Sequence, residues 1–387
     1  MNRAREKTFI RIAAIVMAFT LPMMIIAAED LPILTGKVIE VQKYGNLTMD
    51  LKPKDLYDVG FELGDILNVT VGDVSLRIPF CTSYSDVDTG SLVVRDDQKN
   101  NLLVVAINMG NFATKYNVKA GDTLSFSLSE KAGYLSEYLI RQLKRTNVRS
   151  DYATDSIFAN FRSVATTGIK PGVIYRSSNP INNEIGRAAY ADALCRAVGI
   201  QTVINLSDSR EDIAKYLSAP GIKSDYYRSL LDSGKVVALN MGVDILGADF
   251  AAKFAEGIRF IIANDGPYLI HCTEGKDRAG FVSAVLEALM GADLQEIVAD
   301  YMKSYENYYG VKAGSDQYDA IAKSNIVASL TTAMCGLTKD VDISGINLSK
   351  FAEWYLLSIG LKQGEINELK AKLSAEPMVK EPWVKGK

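Results

Sequence analysis

The feature that most constrains this sequence of 387 residues is a change in its hydrophobic periodicity partway along the chain. Residues 31–128 contain short segments in which apolar residues alternate with polar ones or run together, separated by Gly-Asp or Asp-Asp-Gln turn signals. The segments read "GKVIEVQKYGNLTMDL", "GDILNVTVGDVSLRIPF", "SLVVRDDQKNNLLVVAIN" and "GDTLSFSL". A period of two is typical of strands with one buried face. Residues 31–128 therefore predict a small all-β barrel or sandwich.

The pattern then changes to short apolar segments that alternate with segments of helical spacing. The apolar segments are "GVIYRSS", "QTVINL", "VVALNM" and "GPYLIHC", and the helical ones include "NNEIGRAAYADALCRAV" and "ADFAAKFAEGIRFIIAND". This alternation predicts an α/β domain over 154–375, with a mostly parallel sheet flanked by helices. Residues 129–153 are expected to form a helix and linker between the two domains, and 376–387 a tail. Ligands of such sheets bind at the carboxyl ends of the strands.

The first residues are typical of a targeting segment. Four basic residues within "MNRAREKTFIR" precede the apolar run "IAAIVMAFTLPMMIIAA", and small residues follow before "ED". These are the parts of a secretory signal, so residues 1–28 are predicted to be a signal peptide with cleavage near Ala28. We expect a secreted, cell-envelope or periplasmic protein with no stable membrane insertion after signal removal. An uncleaved membrane anchor is the alternative.

Composition excludes several classes of function. The 43 basic and 46 acidic residues are nearly balanced, which argues against a nucleic-acid partner. Four widely spaced cysteines do not form the framework of a disulfide-rich protein. With a single histidine, His271, a zinc site of the usual spacing is not expected. The lone histidine also removes most Ser-His-Asp and Cys-His arrangements, unless His271 is itself the base.

The stretch "HCTEGKDRAG", residues 271–280, carries the chemistry that the sequence indicates. It lies between the apolar run "GPYLI" and the helical pattern "FVSAVLEALMGA". A tight strand-to-helix turn gathers backbone N–H groups at the positive end of the helix dipole, which binds anions and lowers the pKa of a thiol. Arg278, six positions after Cys272, has a planar fork that can hold two phosphoryl oxygens. The pattern therefore predicts attack of a thiolate on phosphorus.

This stretch resembles the signature loop of the cysteine-dependent protein tyrosine phosphatase superfamily. Its Gly-Lys-Asp-Arg form is similar to the bacterial tyrosine and lipid phosphatase branch, as are "VIYRSSNP", "GIQTVINLSDSRED" and "EIVADYMKSYENYYG". The resemblance implies that Cys272 is the nucleophile, Arg278 the phosphate clamp and His271 a structural partner of the loop. It implies a phosphate-binding loop made by Thr273, Glu274, Gly275, Lys276, Asp277 and Arg278. It also implies that neither a metal nor another cofactor is required.

The resemblance further implies a general acid on the loop after the preceding strand, here "NMGVDILGADF". Asp244 is the candidate, whereas Asp249 is expected to cap the next helix. Asp277 is a rival, since this branch has an aspartate beside the arginine, and it could instead orient Arg278. Asp208 and Asp232 are weaker candidates.

Two residues depart from the family pattern. Ala279 replaces the usual Ser or Thr, whose hydroxyl helps the thiolate leave, so hydrolysis of the phosphocysteine is expected to be slow. Glu274 stands where a small residue is usual and should repel highly charged substrates, while Lys276 resembles the loops of phosphoinositide phosphatases. The substrate could thus be a phosphorylated protein, lipid or inositol. A phosphate-binding pseudophosphatase, a phytase-like enzyme with strict inositol specificity, or loop chemistry such as arsenate reduction or sulfur transfer remain alternatives.

The β-rich domain has a resemblance of its own. "KYGNLTMDL", "TSYSDVDTGS" and "VAINMGNFATKYNVKAGDTL" are similar to the C-terminal barrel of the S-adenosylmethionine hydrolase and halogenase family. That resemblance places Asn46 in part of a nucleoside pocket. A reused binding or docking module and a purely structural spacer are both open interpretations.

Overall fold

A computed structural model describes residues 31–339 and 341–374. The predicted signal peptide of residues 1–28, its alternative as an anchor, and the tail of 376–387 lie outside the described residues. In the part of the chain that is described, no helix combines the length and the apolar character that crossing a bilayer requires.

The N-terminal strands close into a seven-stranded barrel, with neighbours in the order β1-β2-β6-β5-β4-β3-β7. The strands are β1 (Leu34–Val41), β2 (Leu47–Met49), β3 (Ile66–Val71), β4 (Val74–Cys81), β5 (Leu92–Asp97), β6 (Leu102–Ile107) and β7 (Thr123–Glu130). All pairs are antiparallel except β4 with β5. Alternate residues such as Leu67 and Val69 of β3 fill the interior and are fully buried. The barrel, one of the two predicted options, is therefore confirmed.

Two short helices of the barrel were not predicted from the sequence. They are α1 (Pro53–Asp58) and α2 (Phe112–Tyr116), and Tyr84–Asp86 forms a 3-10 turn. Asn111 caps α2 by accepting a hydrogen bond of 2.8 Å from the backbone of Thr114. Their five or six residues are too few to show a helical hydrophobic period.

The connector packs against both halves of the molecule. It contains α3 (Leu135–Arg141) and a 3-10 turn at Arg149–Asp151. On one side, the Gln142 amide donates a hydrogen bond of 2.9 Å to Asp86 of the barrel. On the other, the buried Arg187 donates a hydrogen bond of 3.0 Å to the carbonyl of Thr146. The position of the connector is therefore fixed by both domains.

The second half contains a five-stranded sheet with the order β11-β10-β12-β9-β8. The strands are β8 (Arg162–Val164), β9 (Ile174–Ser177), β10 (Thr202–Asn205), β11 (Val236–Ala238) and β12 (Tyr268–His271). Four of them are parallel, and β8 adds an antiparallel edge that was not predicted. The mostly parallel sheet is confirmed, with β12 at its centre.

Helices cover both faces of this sheet. They are α4 (Asp155–Phe158), α5 (Ala188–Val198), α6 (Arg210–Ser218), α7 (Asp225–Asp232), α8 (Ala248–Ala263), α9 (Asp277–Met290), α10 (Leu294–Tyr309), α11 (Asp316–Ala322), α12 (Leu348–Ser358) and α13 (Gln363–Ser374). Two π-helical turns, Lys323–Val327 and Leu330–Met334, follow α11. Helix α5 begins six residues later than the predicted segment at 182–198, and β11 is shorter than "VVALNM".

The alternation of strand side chains decides which helices lie on which face. Val203 and Leu269 pack with α5, α6 and α7, whereas Ile204 and Ile270 pack with the cluster that includes α8, α9, α10, α12 and α13. Both sets are almost completely buried. Helix α9, whose residues Ala279 to Leu289 are all buried, is therefore held rigidly behind the end of β12.

Candidate active site

The turn 272–276 lies at the carboxyl end of the central strand. Strand β12 ends at His271 and the 14-residue helix α9 begins at Asp277. Cys272 is at the start of the turn and only 3% exposed, and Arg278 is in the first turn of α9. The structure thus brings the predicted nucleophile and phosphate clamp to the positive end of one helix dipole.

Gly275 is required by the path of this turn. Its φ is +67°, and a Cβ atom there would lie 2.1 Å from the carbonyl oxygen of Ser177. Any side chain would therefore push the turn away from the end of β9.

Hydrogen bonds from behind orient the peptide groups of the turn. The backbone N–H of Asn179 donates to the Thr273 carbonyl at 3.1 Å, and the Tyr308 hydroxyl donates to the Glu274 carbonyl at 2.6 Å. Arg176 binds the carbonyls of Gly275 at 2.9 Å and of Lys276 at 3.1 Å. In a trans peptide the N–H points opposite to the C=O. The amides of residues 274–277 are therefore turned to the other side of the loop, as an anion-binding loop requires.

A buried ionic cluster supports Arg176 in turn. Asp300 lies 2.5 Å from Arg176 and 2.9 Å from Arg162. Burial alone would raise the pKa of Asp300, but the two arginines outweigh it and hold that pKa well below its usual range. Nearby, burial and the Asp300 carboxylate raise the pKa of Glu287 well above its ordinary value.

The sequence reasoning missed these supporting residues. Arg176 belongs to "VIYRSSNP", and a lone arginine inside a short apolar strand was the available signal. Tyr308 belongs to "EIVADYMKSYENYYG", where nothing set it apart from the neighbouring tyrosines. Asn160, whose side-chain amide also donates to the Glu274 carbonyl at 3.1 Å, gave no local signal.

Arg278 is held at both arms of its guanidinium. One arm donates to the Met241 carbonyl at 2.9 Å and the other to the Thr273 hydroxyl at 3.2 Å. A cavity of about 240 Å³ borders Arg278, with Asp277 and the apolar side chains of Phe281 and Tyr301 among its walls. The cavity is therefore adjacent to the predicted phosphate clamp, and Cys272 is not among the residues that line it.

His271 is fully buried below the loop, with the ring of Tyr227 packed edge-on at 5.8 Å between centroids. Burial lowers the pKa of His271 to about 4, against a partial opposing effect of the Asp208 carboxylate and of the Cys272 backbone. A neutral imidazole in this position fits the structural role implied by the resemblance.

The two acid candidates lie in different surroundings. Asp244 is exposed, and its carboxylate accepts a hydrogen bond of 3.2 Å from the Leu246 amide. Asp277 lines the cavity beside Arg278. Although 61% of its side-chain surface is accessible, partial desolvation in this concave site and the charge of Glu274 raise the pKa of Asp277. Val243 and Ile245, the neighbours of Asp244, line the same cavity, so both aspartates stay candidates for proton donation.

The remaining aspartates have other places. The prediction that Asp249 caps α8 is wrong, because the cap residue is Gly247 and Asp249 instead pairs with Lys253 at 2.8 Å. Asp208 is buried and accepts hydrogen bonds from Asn179 and Asn205. Asp232 is exposed at the end of α7.

Glu274 is neutralised by cations. It forms ion pairs with Lys276 at 3.0 Å and with Arg145, a residue of the connector that the sequence reasoning did not single out. Burial alone would raise the pKa of Glu274, but Lys276 and Arg145 hold it below its ordinary value. The expectation that Glu274 makes the mouth of the loop repel anions is not supported by this arrangement.

The other three thiols are not part of the turn 272–276. Cys81, Cys195 and Cys335 are buried and free, and burial raises the pKa of each. Within the described residues, no group of three His, Cys, Asp or Glu side chains could hold a metal ion.

Asn46 lies in an open cavity of about 780 Å³ on the barrel, which Tyr44, Tyr84 and Met109 also line. Its amide donates to the Tyr84 hydroxyl at 3.1 Å.

Comparison with known proteins defines the class to which this fold and site belong. Residues 157–375, more than half of the chain, match the model described as "Tyrosine phosphatase family", and the chain belongs to that family. It is accordingly a phosphatase of the phosphoric monoester hydrolase class. Residues 36–125 match the model of the "SAM hydroxide adenosyltransferase C-terminal domain", in agreement with the resemblance of the barrel.

Two relatives with phosphatase names agree with this assignment. The chain is 28% identical to a tyrosine-protein phosphatase of Nostoc commune over 49% of this chain and 72% of the relative. It is 27% identical to the triple specificity protein phosphatase PtpB of Mycobacterium tuberculosis over 40% of this chain and 69% of the relative. A crystal structure of an uncharacterized conserved protein from Thermotoga maritima is 26% identical, with a TM-score of 0.24. That match covers 24% of this chain and only 35% of the solved one.

Proposed function

We propose that this protein is an exported cysteine-dependent phosphatase that hydrolyses phosphate monoesters through a phosphocysteine intermediate. The observation that carries the proposal is the position of Cys272 just before the N-terminus of α9, with Arg278 in the first turn of the same helix. Arg278 is held there by hydrogen bonds to Met241 and Thr273. Backbone amides, the helix dipole and the guanidinium together stabilise charge on a transferring phosphoryl group.

The reaction runs in two steps. The Cys272 thiolate attacks phosphorus, an S–P bond forms, and the bond from phosphorus to the leaving oxygen breaks while Asp277 gives that oxygen a proton. Water then attacks phosphorus, the S–P bond breaks, and Asp277 takes the proton of the water. Arg278 holds two phosphoryl oxygens during both steps. The residues supply all of the charge stabilisation in this scheme, so it requires no cofactor.

The substrate class is phosphotyrosine, a phosphoinositide or an inositol phosphate. The relative from Mycobacterium tuberculosis is named a triple specificity phosphatase, which supports a broad range. Val243, Ile245 and Phe281, which are among the residues lining the cavity beside Arg278, suit contact with an aryl or alkyl leaving group. A nucleic-acid partner is not part of the proposal.

A phosphate-binding pseudophosphatase is the second candidate, and Ala279 is the observation that favours it. This residue is fully buried in the first turn of α9 and offers no hydroxyl to the departing thiolate. A burst of leaving group equal to the amount of protein, with no steady turnover, is the expected result for that candidate.

The test is steady-state phosphate release from p-nitrophenyl phosphate, phosphotyrosine peptides, phosphoinositides and inositol hexakisphosphate. We expect turnover by the native protein and its loss in Cys272→Ser with the fold retained. A serine variant that keeps more than about 1% of the activity contradicts thiolate catalysis, since a serine hydroxyl is a far weaker nucleophile at neutral pH.

Export is the other part of the proposal, supported by the charged and apolar character of residues 1–28. Expression of the full chain followed by N-terminal sequencing of the mature protein tests it. A mature N-terminus near residue 29 in the envelope or medium is expected, and retention of Met1 on a cytoplasmic protein is the contrary result.

A further inference from the structure

Arg145 reaches the catalytic loop from the connector between the two domains. Its guanidinium pairs with Glu274 and lies over the ring of Tyr308, 5.0 Å from the centroid. Lys276 approaches the same carboxylate at 3.0 Å and lies 5.4 Å from the centroid of Tyr309. Two cations thus converge on one carboxylate against a wall of tyrosine rings.

The charges around this point leave the cations available to an incoming anion. The side chains of Arg145, Glu274 and Lys276 keep 19%, 21% and 13% of their surface exposed. Asp277 also approaches Lys276, at 3.9 Å, but within the described residues no ion pair joins Asp277 to Arg145. Among the described residues, Glu274 is therefore the one carboxylate that forms ion pairs with both Arg145 and Lys276.

The position of Arg145 is set in advance. Gln142 is bound to Asp86 of the barrel, and the carbonyl of Thr146 accepts a hydrogen bond from Arg187 of the phosphatase domain. The flanking backbone is fixed on both sides, so little additional ordering is needed when an anion binds. A guanidinium stacked on an aromatic ring also keeps its planar donors pointing outward, a geometry that suits phosphate.

We propose that Arg145 and Lys276 form a second anion subsite, held by Glu274 in the free protein, which binds a further phosphate of a small, multiply phosphorylated substrate. This inference rests on the proposed function, because the first phosphate of the substrate occupies the loop of Cys272. The connector thereby contributes to substrate specificity.

Binding to the Cys272→Ser protein tests the subsite without any turnover. Isothermal titration at about 150 mM salt, which screens distant charges, compares inositol hexakisphosphate with inorganic phosphate. Because a charge-assisted hydrogen bond is lost, Arg145→Met should raise the Kd of inositol hexakisphosphate about ten- to a hundredfold. The Kd of inorganic phosphate should change much less. Glu274→Gln should tighten binding of inositol hexakisphosphate, because it removes the competing carboxylate.

The matched control is Lys144→Met, which removes the same charge from an exposed neighbour in the same segment. It should leave both Kd values unchanged. Equal weakening by Arg145→Met and Lys144→Met overturns the subsite in favour of general attraction. An equal rise in the Kd of inorganic phosphate and of inositol hexakisphosphate in Arg145→Met would indicate distortion of the loop and overturns the subsite. An absence of inositol hexakisphosphate binding also overturns it.

Kinetics of the protein with Cys272 intact separate this proposal from the proposed function. Arg145→Met should lower the ratio of kcat/KM for inositol hexakisphosphate to that for p-nitrophenyl phosphate about tenfold or more. An unchanged ratio overturns the subsite. If the native protein hydrolyses neither compound, the proposed function fails, and the titrations still decide whether the subsite exists.

Discussion

The guanidinium of Arg176 donates a hydrogen bond of 2.9 Å to the carbonyl of Gly275 and lies 2.5 Å from the carboxylate of Asp300. Arg176 has no exposed surface, so neither contact is exchanged for water. One buried side chain on β9 thus ties the catalytic loop to helix α10. The shape of the loop depends on this link as well as on its own residues.

Removal of Arg176 should therefore damage both stability and catalysis. Arg176→Met leaves Asp300 with Arg162 as its partner and removes the donor to the carbonyls of Gly275 and Lys276. Breaking a buried ion pair lowers the free energy of unfolding by about 3–5 kcal/mol. Urea unfolding of the phosphatase domain should show a loss of at least about 3 kcal/mol. Arg259→Met, which breaks the more exposed pair with Glu365, should cost less than about 1 kcal/mol. Equal costs for the two variants would mean that Arg176 does not brace the loop.

The role of general acid is decided by comparing two aspartates. Asp277→Asn should slow hydrolysis of alkyl phosphates about 100- to 10,000-fold, and that of aryl phosphates less, because a phenolate leaves without full protonation. Asp244→Asn, in the exposed loop, should have a small effect. A large loss in Asp244→Asn with little change in Asp277→Asn would assign the acid to the loop after β11.

The pH profile provides a second measurement of the same role. The raised pKa of Asp277 keeps its proton to higher pH than an ordinary aspartate would. The rate of leaving-group release should thus fall as pH rises through that pKa, and Asp277→Asn should abolish this alkaline limb. A limb that persists in Asp277→Asn belongs to another group.

Ala279 should limit the second chemical step. A hydroxyl that hydrogen-bonds the departing thiolate contributes about 1.5–3 kcal/mol, equivalent to roughly ten- to a hundredfold in rate. Ala279→Ser should raise steady turnover by that factor and remove an initial burst measured by rapid quench. Ala288→Ser, an equally buried site at the far end of α9, is the control and should leave the kinetics unchanged. If the native protein shows no burst and Ala279→Ser does not raise steady turnover, hydrolysis of the phosphocysteine is not the rate-limiting step.

His271 should not titrate near neutral pH. Its pKa of about 4 lies below the ordinary 6.5, so between these values the unfolded chain binds a proton that the folded chain does not. Because of this difference, the free energy of unfolding decreases as pH falls through that range, by about 3 kcal/mol in total. Since the chain has one histidine, its imidazole resonances in NMR are unambiguous and should stay constant from pH 8 to about 5. A midpoint near 6.5 would place the ring in solvent.

The sequence by itself determined the features that are encoded locally. The period-two segments of 31–128 specified strands, because each residue's face follows from its own position along the chain. The alternation of strands and helices specified the mostly parallel sheet. Cys272 and Arg278 are six residues apart on one turn, so their proximity needed only a strand before them and a helix after them.

Only the tertiary structure decided which distant residues support that turn. Arg176 and Arg145 lie about a hundred residues or more from the loop in sequence, and Tyr308 approaches it from a later helix. The cavity beside Arg278 likewise combines Asp277 of α9 with Val243 and Ile245 from the loop after β11. Such contacts depend on how β9, the connector and α10 pack together. The period of a segment records which of its faces is buried, but it carries no information about which other segment covers that face.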